Sequence, residues 1–142
     1  MTPDPTDDCK TPLTPRAARA LHARLLERVA DDESSHVTIP LAEGDWQPFV
    51  PGVTIKVLQA TGGTLSYLMR LAPGASVPAH RHPADEECIV LDGLLRVGAR
   101  IELGPGGYHL AHAGSLHATL RSDTGATVFL RGAFPDARDV LG

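Results

Sequence analysis

Residues 73–93 read PGASVPAHRHPADEECIVLDG, and the spacing of the histidines and carboxylates in this stretch decides the fold. His80 and His82 are separated by a single residue. On a β-strand successive side chains point to opposite faces, so residues i and i+2 share a face and these two imidazoles project together. Pro83, Ala84 and Asp85 make a turn. Glu86 then opens the next β-rich run, where it can fold back beside the histidines. A carboxylate with two neutral imidazoles is a mixed nitrogen and oxygen donor set suited to Zn, Fe, Mn, Ni or Cu. Glu87 is the rival carboxylate, and alternation turns it away from the face that carries Glu86.

A fourth donor must come from elsewhere in the chain. His117 follows the turn at 112–116 and starts another β-rich segment, so a neighbouring strand can deliver it to the same pocket. The spacing Gly74-x5-His80-x-His82-x3-Glu86-x6-Gly93 resembles the first motif of the cupin family at every defined position. Gly106-x5-His112-x-Gly114-x2-His117 resembles the second, with His112 where the family usually has proline and Arg121 where it often has asparagine. More narrowly, residues 38–132 resemble the ChrR-type cupins, the cupin domain found in a group of zinc-dependent anti-sigma factors. That likeness rests on the stretch quoted above, on GPGGYHLAHAGSLHATLRSDTGATVFLRG and on EGDWQPFVPGVTIKVL.

The resemblance implies an all-β fold, a single cupin (RmlC-like jelly-roll) β-barrel with one short N-terminal helix. It also implies one divalent metal ion on His80, His82, Glu86 and His117, with zinc first and iron, nickel or manganese as alternatives. The function implied is that of a metal-dependent sensor, regulator or small-molecule-binding protein. The alternative is a dioxygenase acting on a small chelating β-diketone or hydroxyketone, with Glu86 able to serve as base. Cupin habit implies a homodimer. The full-length regulators grip a sigma factor through an N-terminal helical domain with a His-x3-Cys-x2-Cys zinc motif. This chain lacks that motif, so the resemblance does not extend to sigma-factor binding.

Outward from the motifs, the chain from His36 onward alternates short β-rich runs with Gly, Pro or Asp turns. The runs are HVTIPL, GVTIKVLQ, TLSYLMRLA, EECIVLDG, LLRVGARIEL, GYHLAHAG and ATVFLRG, a rhythm of about eight to twelve residues that predicts a sandwich or barrel over 35–136. Tyr67, Met69 and Cys88 are expected in the core or pocket lining, and Trp46 and Phe49 as a cap on the barrel. Arg81, between two ligands, should face outward and pair with a surface acid. Alternation sets Tyr108 and His109 on opposite faces, so an inward Tyr108 would leave His109 outside. His109 and His112 read first as surface histidines and second as partners of the ligands or of substrate.

Upstream, Thr14 is placed to cap a helix that has Pro15 at its first position. Ala18, Leu21, Leu25 and Val29 recur at helical spacing, with His22 off that stripe. Asp31, Asp32 and Glu33 oppose the helix dipole, which predicts a stop near Ala30 and a helix with its linker over 14–34. Residues 1–13 and 137–142 are expected as tails.

Composition narrows the function classes. With 142 residues, 42% of them hydrophobic and 21% charged, the chain has the size and make-up of one globular domain. The net charge is −4 and the 13 basic residues are scattered, so nucleic acid is excluded as a direct partner. No apolar run reaches the roughly 18 residues that span a bilayer, and the acidic, Pro-rich start has no secretory apolar core. Cys9 and Cys88 make no disulfide framework, and a reducing cytoplasm is the expected compartment.

Overall fold

A computed structural model describes residues 14–133. The expected tails at 1–13 and 137–142, and Cys9 with them, lie outside the described residues. The chain divides into two units between Thr38 and Ile39.

In the first unit, helix α1 spans Pro15–Ser35. Thr14 caps it as expected, its hydroxyl accepting the Ala17 N–H at 3.2 Å. The helix does not stop near Ala30 but continues to Ser35, with His36 extended at its C-cap. An acid near a helix C-terminus costs only about 0.3–1 kcal/mol, and the helix holds no glycine, and no proline after Pro15, to break the ladder.

The second unit is an antiparallel jelly roll. Its strands are β1 (Gln47–Val50), β2 (Val53–Thr61), β3 (Thr64–Leu71), β4 (Ser76–Val77), β5 (His80–Arg81) and β6 (Glu86–Gly93). They continue as β7 (Leu95–Val97), β8 (Ile101–Leu103), β9 (Tyr108–Ala111), β10 (Leu116–His117), β11 (Leu120–Arg121) and β12 (Ala126–Gly132). One sheet has the order β1-β2-β3-β12-β6-β9, a second β4-β11-β7-β8, and β5 pairs with β10.

Two expectations need correction. HVTIPL forms no strand; Pro40 has no N–H to give to a ladder, and the Pro40 and Leu41 carbonyls instead accept from the buried Lys56 ammonium at 3.2 and 3.1 Å. LLRVGARIEL is two strands, β7 and β8, because Gly98 turns the chain with φ +60. The β2–β3 connection is a two-residue loop whose glycines, Gly62 and Gly63, both have positive φ, the pairing that matches the twist of a tight hairpin.

The core lies between the sheets and is filled from their inner faces. Val53, Tyr67, Leu71, Val77, Val90, Leu95, Val128 and Leu130 are each at most 1% exposed. Tyr67, Met69 and Cys88 join it as expected, and Phe49 packs against it. Trp46 sits under the Arg70 guanidinium, 4.0 Å from the ring centroid.

Candidate metal centre

His80 and His117 are brought together by backbone pairing. In the β5–β10 ladder they are directly opposite, as are Arg81 and Leu116, so their rings lie close on one face. The ring centroids are 5.2 Å apart and nearly parallel. His82 is two residues beyond His80 and shares its face, with centroids 4.5 Å apart at 83°. The three imidazoles offer ligand atoms that all lie within 4.8 Å of one another. Glu86 arrives at the start of β6, where Gly132 on β12 leaves it room: a Cβ at Gly132 would stand 3.0 Å from the Glu86 Cγ.

The orientation of the donors is fixed from behind. His80 Nδ1 lies 2.7 Å from the Pro78 carbonyl and His117 Nδ1 2.9 Å from the Ala118 carbonyl. Each Nδ1 therefore carries the proton, which leaves Nε2 with a free lone pair, the arrangement usual for a metal-binding imidazole. His80 Nε2 is 3.0 Å from His82 Nε2, and His82 Nε2 is 3.2 Å from Glu86 Oε1. The other carboxylate oxygen, Oε2, accepts the Tyr67 hydroxyl at 2.9 Å. His82, Glu86 and His117 are all buried and His80 is half-buried.

Electrostatics suit a cation. Burial is the main cause that lowers the His117 pKa, with the neighbouring His80 adding to it, so its ring is held neutral and available to a metal. Burial, then the Glu86 charge, pushes the Tyr67 hydroxyl well up, and it stays a donor to the carboxylate. The same two causes push the Cys88 thiol up to about 12, which keeps it out of thiolate chemistry. Two donors about 2.1 Å from one ion lie about 3.0 Å apart at right angles and about 3.4 Å apart at the tetrahedral angle, so the His80–His82 and His82–Glu86 spacings are of the size that a shared ion sets.

The two motif turns are clamped to each other. Gly114 N–H donates to the His82 carbonyl at 2.9 Å, Arg81 Nη1 to the Gly114 carbonyl at 2.6 Å, and Ala113 N–H to Asp85 Oδ1 at 2.8 Å. Arg81 faces out as expected, but its partner is a backbone carbonyl and not an acid. The bond from Ala113 is also the main reason the Asp85 carboxyl is held below its ordinary range. Glu87 is exposed and accepts the Tyr108 hydroxyl at 3.0 Å.

Tyr108 therefore faces out and His109 faces in, opposite Cys88 in the β6–β9 ladder. The His109 ring lies edge-on to His117 with centroids 5.3 Å apart. Alternation alone gives the relation between Tyr108 and His109; the register against β6 sets which one is inside. His112 is exposed, 3.5 Å from Asp85. Sequence reasoning did not reach the Tyr67–Glu86 bond or the space left by Gly132, since the first depends on β3 and β6 flanking β12 and the second on β12 lying beside β6.

The ChrR cupin-like domain family matches residues 34–134 of the chain. Among solved structures, KdgF from Halomonas sp. is 21% identical over 72% of this chain and 98% of its own, with a TM-score of 0.62. The Rhodobacter sphaeroides SigE complex with the anti-sigma ChrR is 23% identical over 66% of this chain and 50% of that one, TM-score 0.58. A putative acetylacetone dioxygenase from Methylibium petroleiphilum PM1 is 20% identical over 70% of this chain and 78% of its own, TM-score 0.63. At these identities the likeness is one of fold. No curated protein matches the chain. Among the described residues no helix is long and apolar enough to cross a membrane.

Proposed function

The chain belongs to the ChrR cupin-like family, and on that premise we propose that it is a metal-dependent binding protein. His80, His82, Glu86 and His117 hold one divalent ion, and the site captures a small oxygen-bearing molecule in a sensory or regulatory role. The observation that carries this reading is the convergence of His80 and His82 Nε2 with Glu86 Oε1, while the far nitrogens of His80 and His117 are committed to backbone carbonyls. Zinc is the first ion of the proposal, since it takes imidazole nitrogen and carboxylate oxygen and needs no redox partner. When bound, such an ion supplies Lewis acidity at the positions the protein leaves open. The chain's own residues orient and exclude. Tyr67 holds the carboxylate, Pro78 and Ala118 hold two of the rings, and the barrel core keeps water from the inner side.

One observation favours a second reading, that of a small-molecule dioxygenase. A pocket of about 270 Å³ opens beside His117, between β9 and the β7–β8 hairpin, and gives a substrate a route to the site. Glu86, whose Oε1 faces His82, is then the residue placed to take a proton. Two of the solved structures that share the fold bear the name acetylacetone dioxygenase.

Metal analysis of protein purified without added metal, followed by oxygen uptake with β-dicarbonyl and hydroxyketone compounds, separates the two. Stoichiometric zinc without uptake is expected. Iron or nickel, with uptake abolished in His82→Ala, would instead establish the enzyme, and protein that takes up no divalent ion would overturn both.

A further inference from the structure

Resting on the metal-binding reading above, we infer that His109 contacts the bound molecule, and that this molecule is a small monoanionic oxygen chelator with an apolar flank. His109 is on the inner face of β9, opposite the buried Cys88, with its ring edge-on to His117. Both rings line the pocket of about 270 Å³, whose walls include Val97, Ile101 and Leu116. That volume lies at or just below the small end of the roughly 300–1,000 Å³ usual for ligand pockets. The occupant is a small molecule, of about a dozen heavy atoms at most.

His109 is the uncommitted polar side chain of this pocket. Of the other polar groups lining it, His117 has Nδ1 on the Ala118 carbonyl. His112 stands 3.5 Å from Asp85, and the Ser115 hydroxyl donates to the His112 carbonyl at 2.6 Å. Among the described residues no hydrogen bond engages the His109 ring. A half-buried imidazole with an idle N–H, beside apolar walls, is free to donate to an acceptor on the ligand.

Charge selects the sign of that acceptor. Three neutral imidazoles and one carboxylate leave a bound divalent ion with one uncompensated positive charge. No carboxylate is among the residues that line the pocket, and Asp85 lies outside the lining. A monoanion neutralises the excess and its oxygen takes the His109 N–H, whereas a neutral chelator does only the second and more weakly.

The test loads the full chain with Co(II) and titrates it, by visible absorption, with 2-oxoisovalerate and with the neutral 2,3-pentanedione. The expected result is tighter binding of the oxoacid. His109→Phe should weaken the oxoacid about tenfold to hundredfold, the loss of one hydrogen bond to a charged group, and the dione much less. His109→Gln, which keeps a donor, should recover part of the difference, and both variants should load cobalt as the parent does. Equal loss for both probes, indifference of the oxoacid to His109, preference for the dione, or binding of neither probe overturns the inference while the metal reading stands. A chain that takes no cobalt overturns both.

Discussion

At the scale of single residues, the site is made by what stands behind its donors. The His80 and His117 rings each spend Nδ1 on a carbonyl of their own segment, so the tautomer that presents Nε2 is set before any ion arrives. Glu86 depends on a residue nineteen positions away, the Tyr67 hydroxyl. Tyr67→Phe deletes that donor and leaves a buried carboxylate oxygen without its partner. Loss of a hydrogen bond behind a ligand typically costs about 10–100-fold in metal affinity. We expect a loss in that range, read by competition with a chromophoric chelator, with the fold retained because the ring still fills its place. An unchanged affinity would remove Tyr67 from the account of the site. His117 gives a pH dependence to the metal-free chain. Its pKa lies below the ordinary value, so the unfolded chain takes up this proton first. Stability is then unaffected above about pH 6.5 and falls as pH drops from there towards the lower folded value. Thermal melts at pH 7.5 and 5.5 should show the decline, and His117→Asn should lessen it.

At the scale of elements, two-residue strands carry the ligands, and what fixes such short strands is the turns around them. The bonds of Gly114 and Arg81 to each other's segments join the turn after β5 to the turn before β10. The motif glycines do separate work. Gly74 and Gly93 both have positive φ, but a Cβ at Gly74 meets open space, while one at Gly93 collides with the Gly125 carbonyl and the Ala126 backbone. Gly74→Ala should cost about 1–2 kcal/mol for the left-handed backbone alone, and Gly93→Ala about 1–3 kcal/mol more for the clash. Chemical denaturation checks the order; equal costs would mean that the β6–β12 contact yields freely. This scale also separates what was legible in sequence from what was not. Period-two spacing made His80, His82 and the outward Glu87 readable, because alternation is local. The long runs around Tyr67, Cys88 and Val128 were readable as strands for the same reason. HVTIPL misled, since its apolar residues alternate but it finds no pairing partner. The inward turn of His109, the room at Gly132 and the Tyr67–Glu86 bond all depend on which strands are neighbours, and register across a sheet is not written in either strand alone.

For the molecule as a whole, the proposed donors come from segments far apart in the chain: His80, His82 and Glu86 from β5, the turn after it and β6 on one side, His117 from β10 on the other. An ion bound there ties these segments in the folded state only, so it stabilises the fold by mass action and its removal should lower the melting temperature. At free metal about a hundredfold above the dissociation constant the gain is about 2.7 kcal/mol, which for a domain of this size is a shift of several degrees. Chelation followed by readdition of zinc in a thermal melt should reproduce that loss and recovery. The central claim, that four side chains meet on one cation, is tested most directly by calorimetric titration of the metal-depleted chain with zinc. One ion per chain is predicted, with affinity falling at least about a hundredfold in His80→Ala and in His117→Ala while both variants keep their sheet content. Zinc bound with parental affinity after removal of His117, or no binding by the parent chain, would contradict it.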